Sequence, residues 1–476
     1  MLTVLGSQRR DLTRREALHV GTLAGLGGLS LPALWRAEAA TPALPVKAKH
    51  VVVVYLLGGA ATQDMFDLKP DAPAGVRSEF RPIATSAPGV SICDQLPRVA
   101  KWMHRAALLR SMTHKAGCHN PLPAYTGSEQ TLPDIVSTSD SYPPSMGSVC
   151  EYLRQQAGKR GELPDYVYMP CYLGYGQAIR RPGPYAGWLG KPYEALYTDC
   201  KPYLDPGKAC LPGQAQFVRG KPFLPEANID EGLTLGRLDG RRRLLTQLES
   251  RRADLDASAA SGAYGRQAQR AFQLLTSDKV RAAFDVEKEP MALRDAYGRT
   301  LFGSTVLIAR RLIEAGVRFV NASWDLFWDR FKIDYDAWDT HTKNFTLLKD
   351  WLLPQLDRTL SAFLADLDAR GLLDETLVVV MSEMGRTPKV NAAAGRDHWT
   401  HCYSVMLAGA GIRGGTVVGA SDSHAAYVKD RAVKPADLCA TVYRLLGIDH
   451  GLMLPDRTGR PMSINHGGEP VLEVMA

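Results

Sequence analysis

Several things are missing from this 476-residue chain, and each absence removes a class of protein. It has eight cysteines but no Cys-x-x-Cys pair, so neither a zinc ribbon nor a thioredoxin-type redox motif is supported. No dense Lys/Arg block interleaved with aromatics occurs, and aromatics make up 8% of the residues, which argues against a nucleic-acid binder. There is no internal repeat and no long low-complexity tract, which excludes solenoids and propellers. The longest apolar stretch near the N-terminus is short and glycine-rich, so no stable membrane span is expected. The net charge of +7 is small beside 57 basic and 50 acidic residues, and favours an anionic substrate only weakly.

What is present begins with the N-terminus. Arg9 to Ala40 reads as basic residues, an apolar Gly/Leu/Ala stretch, then a small-residue end. That is the layout of an export signal. Arg14-Arg15 form a twin-arginine pair, and Ala37 to Ala40 fit a cleavage site. The reading is a twin-arginine-type signal over 1–40, with a mature domain over 41–476 that reaches the periplasm or the exterior through the twin-arginine machinery. An uncleaved amphipathic anchor is the alternative. Export to an oxidising compartment would allow disulfides, and Cys200 with Cys210 flank a loop they could close.

Six apolar runs read as strands: His50–Gly59, Ala106–Met112, Asp165–Pro170, Val317–Ser323, Glu375–Ser382 and Tyr403–Gly411. They are mostly apolar, as strands buried on both faces are, and helical patterns separate them. Leu348, Trp351, Leu352, Leu356, Leu360, Phe363, Leu364 and Leu367 line one helical face. Pro354 should kink that helix or mark its first turn, and Gly371 should stop it. The expected fold is α/β, with a mainly parallel sheet covered on both faces. The stretch from about 172 to 288 is first rich in Pro, Gly and Tyr and then charged and helical, and reads as an inserted region at the edge of the site.

Chemistry in such folds collects past the carboxyl ends of the strands. Four polar clusters fall there: Asp64 and Asp67 after Gly58-Gly59; Asp339 and His341 in "WDTH"; Ser382-Glu383; and Asp397, His398 and His401 in "GRDHWTH". Each has an alternative. Asp64 and Asp67 would serve as helix caps, more so Asp67; Asp339 would cap a helix starting near Thr340. Glu383 would pair with Arg386, and Asp397 would pair with Arg396 or orient a histidine. Taken together, imidazoles and carboxylates at strand ends suit one shared metal site, with Zn²⁺ or Mn²⁺ best for hydrolysis. The other histidines considered, His19, His104, His424, His450 and His466, lie in helix, loop or tail contexts.

These motifs resemble the DUF1501 family, over nearly the whole mature chain. The resemblance rests on "GGAATQDMFDLKPDAP", "PSMGSV", "WDTH", "LDRTLSAFLADLDARGLLDETLVVVMSEMGRTP", "GRDHWTH" and "AGAGIRGG". The family is grouped with the alkaline phosphatase/sulfatase superfamily. The resemblance implies a doubly wound α/β/α sandwich, alkaline phosphatase-like, holding one or two divalent ions. It implies metal ligands at Asp64, Asp339, His341, Glu383 and His398, with His401 assisting, and Met384 stands where the superfamily has a histidine. Cys118 lies near the expected nucleophile, but Cys118-His119-Asn120-Pro121-Leu122 does not match the Cys-x-Pro-x-Arg motif for formylglycine conversion. Cys118 is then either a reactive thiolate or a buried or disulfide-bonded cysteine. His119 is a candidate ligand or general acid, and Arg386 a candidate clamp on the substrate anion. The implied function is an exported hydrolase of sulfate or phosphate esters, with sulfated or phosphorylated polysaccharides among its substrates. The competing reading is an inactive binding or assembly protein of the cell envelope. A phosphoglycerate mutase-like isomerase fits export poorly.

Overall fold

The computed structural model describes residues 44–132, 140–158, 163–204, 217–224, 278–325, 327 and 337–476. The expected N-terminal signal, Cys210 and most of the charged half of the expected insertion lie outside these residues. Among the described residues, no helix is long and apolar enough to cross a membrane.

One eight-stranded sheet organises the chain. Its strands, in chain order, are β1 (His50–Leu56), β2 (Ala106–Met112), β3 (Tyr166–Met169), β4 (Leu196–Tyr197), β5 (Phe319–Trp324), β6 (Thr376–Met381), β7 (Tyr403–Gly409) and β8 (Val417–Val418). Their spatial order is β8-β2-β7-β6-β1-β5-β3-β4. β1 sits between parallel neighbours, with Val53 facing Val379 on one side and Asn321 on the other. β7 alone runs antiparallel to the rest. The expected mainly parallel α/β fold is therefore observed.

The alternation of β1 shows why the sheet has two covered faces. Val52, Val54 and Leu56 enter one apolar cluster, and Val51, Val53 and Tyr55 enter another. Each of these side chains is at most 2% exposed. Burying each is worth roughly 1.5–3 kcal/mol, so a polar residue at any of them would destabilise the sheet. Four helices do most of the covering: α1 (Met146–Gln156), α2 (Leu301–Glu314), α3 (Leu353–Ala369) and α4 (Pro435–Leu445). α2 and α3 pack on the first face; α1 and α4 pack on the second.

Local chemistry sets the helix ends. Ser145 and Thr300 cap α1 and α2 by accepting from the amides of Ser148 and Gly303. α3 has Pro354 in its first turn, directly after a π-helical turn at Leu348–Leu352. The proline has no N–H to donate, and it sits where the missing donor does least harm. Gly371, with φ of +69°, follows the last turn as expected.

The antiparallel strand has a functional consequence. Tyr403, at the start of β7, lies opposite Met112 at the end of β2. The residues just before β7 therefore arrive at the same edge as those just after β1, β2 and β6. That edge collects the candidate site.

Candidate metal centre

Four segments meet at the carboxyl edge. The turn after β1 supplies Gly58 and Gly59. The loop after β2 supplies His119. The segment at Trp338–His341 is tied down by the Trp338 amide, which donates to Leu57 O at 3.0 Å. The hairpin pairing Gly385–Arg386 with His398–Trp399 presents His398 next to Arg386.

His119, Asp339, His341 and His398 each offer one ligand atom, all within 4.8 Å of one another. The tightest part is a triangle. His341 Nε2 and His398 Nε2 are 2.8 Å apart, and lie 3.1 and 3.2 Å from Asp339 Oδ1. His341 Nδ1 faces Asp397 Oδ1 at 2.9 Å. A carboxylate there holds the ring with its proton on Nδ1 and turns the Nε2 lone pair inward, as outer carboxylates do for metal-bound histidines. Two imidazole nitrogens facing each other at 2.8 Å need a proton or a cation between them. Tetrahedral zinc with bonds of about 2.0–2.1 Å spaces its ligand atoms by about 3.3 Å, so this donor set fits a small divalent ion after a slight expansion.

His119 stands beside the triangle. Its Nε2 is 3.4 Å from Asp339 Oδ2 and its Nδ1 is 3.4 Å from Glu383 Oε1. Burial pulls its pKa down, but the two carboxylates outweigh burial, and the net shift is upward. Asp339 shows the converse. Burial pushes its carboxyl up, yet His119, His398 and the Arg386 guanidinium hold it far below the usual range. Burial lowers His398, only partly offset by Asp339, which keeps the imidazole neutral and available as a ligand.

Glu383 is 1% exposed and fully engaged. It accepts from the Gly58 amide at 2.8 Å, from Tyr55 OH at 3.1 Å and from Ser382 Oγ at 3.0 Å. Those contacts place it as a support for His119, outside the four-residue cluster. Met384 points away from any ligand role and packs on Gly59, where an added Cβ would come within 2.9 Å of its side chain.

Four other candidates stand outside the four-residue cluster. Asp64 is fully buried and forms a two-pronged ion pair with Arg396, at 2.8 and 2.9 Å, while Asn344 donates to it at 3.0 Å. Leu57, Gly58 and Gly59 follow β1 and offer no side-chain ligand, and Asp64 turns toward Arg396 instead of the cluster. His401 is exposed and rests its ring against Trp399 and Tyr427. Arg386 is wholly buried. It donates to the carbonyls of Gly58, Gly59, Trp338 and Arg396 and to Asp339, which makes it a clamp on the site's own backbone and leaves no direction for a substrate anion. Cys118 is exposed, and the partial burial of its sulfur pushes the thiol pKa up, the wrong direction for a nucleophile at neutral pH.

Two groups were missed by sequence reasoning. Arg396 is one: the sequence offered it only as a partner for Asp397, whereas it pairs with Asp64, 332 residues away. His114 is the other: it is 2% exposed and its Nε2–H donates to Glu383 O at 2.8 Å. Burial lowers the His114 pKa below 6.5 despite that hydrogen bond. An unfolded histidine takes a proton near pH 6.5 while the buried one resists. Stability is therefore complete above that pH and is lost as pH falls from there toward the folded pKa, by up to about 1.4 kcal/mol per pH unit. Thermal melts between pH 5 and 7.5 should show this slope, and His114→Gln, which keeps a donor but cannot titrate, should flatten it.

The backbone is equally constrained. Gly58 has φ of +112°, and a Cβ there would lie 2.7 Å from Asp339 N. Gly58→Ala is expected to cost about 1–3 kcal/mol and to displace Asp339, seen as a lower melting temperature together with weaker metal binding.

The family model described as "Protein of unknown function (DUF1501)" matches residues 48–475. The chain belongs to the DUF1501 family. Among curated proteins none matches it. Among solved structures, this DUF1501 chain is similar to the lipoteichoic acid synthase of Listeria monocytogenes, with a TM-score of 0.35, 11% identity, and coverage of 90% of this chain and 76% of that one. It is also similar to a sulfatase from Pseudoalteromonas sp., with a TM-score of 0.36, 13% identity, and coverage of 92% and 72%. A phosphonate monoester hydrolase from Silicibacter pomeroyi gives 0.33, 11%, 89% and 76%.

Proposed function

We propose that this DUF1501 protein is an exported hydrolase of sulfate or phosphate esters that works with one divalent ion, Zn²⁺ or Mn²⁺. The observation that carries the reading is the triangle of Asp339 Oδ1, His341 Nε2 and His398 Nε2 at the carboxyl edge of the sheet. An ion bound there would polarise a sulfuryl or phosphoryl oxygen as a Lewis acid.

The chain's own groups supply the rest. Asp397 holds the His341 ring in one tautomer. Arg386 fixes Asp339 and the Gly58-Gly59 turn. His119 lies between Asp339 and Glu383, whose carboxylates raise its pKa, and on this reading it donates a proton to the leaving oxygen. With Asp64 committed to Arg396, the described residues offer ligands for a single ion. Cys118 has no part in the chemistry on this reading. The natural substrate class is an anionic ester, with sulfated or phosphorylated polysaccharides outside the cytoplasm as the candidates.

The test is a panel of aryl sulfate, phosphate and phosphonate esters, assayed on metal-loaded wild type and on His119→Ala. Turnover on at least one ester class, reduced about 10²–10⁴-fold in the variant, supports the assignment. A loaded protein that is inert on all three but holds a glycan tightly would favour the binding-protein reading.

A further inference from the structure

The sheet's far edge brings two cysteines together. β3 and β4 run parallel, with Val167 opposite Leu196 and Tyr168 opposite Tyr197. The contact continues past the strand ends, where Thr198 N donates to Tyr168 O at 3.2 Å and Thr198 Oγ1 to Pro170 O at 2.7 Å. The same offset carried onward brings Cys171 alongside Cys200. Both are buried, at 0% and 1% exposure, and they share a small apolar cluster with Leu301 and Phe327. Burial first, and then the neighbouring Cys200 thiol, push the Cys171 thiol pKa well up. Adjacent strands lie about 4.8 Å apart, inside the Cα separation of about 4.4–6.8 Å that a disulfide bridges.

The segment between the two cysteines lies over the candidate site. Arg181, 3% exposed and held by Gln177 at 2.9 and 2.7 Å, donates to His119 O at 3.4 Å. Tyr166 OH and Tyr197 OH both donate to Pro184 O, at 3.2 and 2.9 Å. The Gly174 amide donates to Asp325 at 3.3 Å. A bond joining the two ends would fix this segment, and through Arg181 the backbone of His119.

We propose that Cys171 and Cys200 form a disulfide in an oxidising compartment, closing the 172–199 segment into a loop clamped over His119. Each thiol gives up its hydrogen, the S–S bond forms, and an external disulfide (a small molecule or a disulfide-exchange protein) takes the two electrons and leaves as two thiols. The proposal relies on export only for where that oxidant is met, and it holds whether or not an ion binds next to it.

The experiment uses full-length protein held with oxidised glutathione, quenched with N-ethylmaleimide at low pH, and digested without reductant for mass spectrometry. The expected product is one peptide pair linking Cys171 to Cys200, about 2 Da lighter than the two free peptides. Hydrogen exchange over 172–199 and around His119 should slow about tenfold on oxidation. Cys171→Ala/Cys200→Ala should show neither change. If that variant misfolds, the oxidised and reduced wild-type samples decide alone. Recovery of both cysteines alkylated as free thiols, or either linked to Cys118 or Cys210, would overturn the proposal.

Discussion

His398→Ala is expected to weaken divalent-ion binding by at least about 10²-fold and to lower ester hydrolysis by about 10²–10³-fold, with the fold kept. The imidazole is one corner of the triangle, 2.8 Å from His341 Nε2 and 3.2 Å from Asp339 Oδ1, and the neighbouring His119 is held between Asp339 and Glu383. It is only half-buried, in a short hairpin, so its loss leaves little cavity and the melting temperature should fall by only a few degrees. Calorimetric titration with Zn²⁺ and Mn²⁺, beside a melt of each apo protein, separates the two effects. Tight ion binding in the variant would show that His398 is not a ligand.

Asp64→Ala should behave in the opposite way. It removes the partner of a guanidinium that is itself 0% exposed, and a buried charge left alone typically costs about 3–5 kcal/mol. The expected result is a large drop in melting temperature and in soluble yield. The protein that does fold should retain a normal ion content. Arg396→Met combined with Asp64→Leu, which removes both charges, should recover much of the loss. The family resemblance alone implies the reverse, an intact fold with the ion gone, so one melt and one metal assay on the same sample distinguish the two roles.

That contrast marks what the sequence could and could not reveal. The strands were legible because β1 and β6 are buried on both faces and so read as unbroken apolar runs. The edge was legible too, because residues past strand ends collect there, and Asp339, His341 and His398 were readable from that rule. Asp64 was not, because its role depends on Arg396, which only the closed fold brings next to it. Arg386 misled for a related reason. An arginine beside a site can hold an anion or hold the site, and only its five internal partners show that it does the second. Glu383 was found at the right place, yet its contacts with Gly58, Tyr55 and Ser382 make it a support for His119. Arg181 gave no sequence signal, since its contact with His119 is made through a backbone carbonyl.

The central claim is a single ion on Asp339, His341 and His398. Metal analysis by mass spectrometry on wild type purified without chelator, and again after reconstitution with Zn²⁺ and Mn²⁺, tests it most directly. About one equivalent per chain is expected, lost in His341→Ala/His398→Ala. No bound metal after reconstitution, or an ion retained by that double variant, would contradict it.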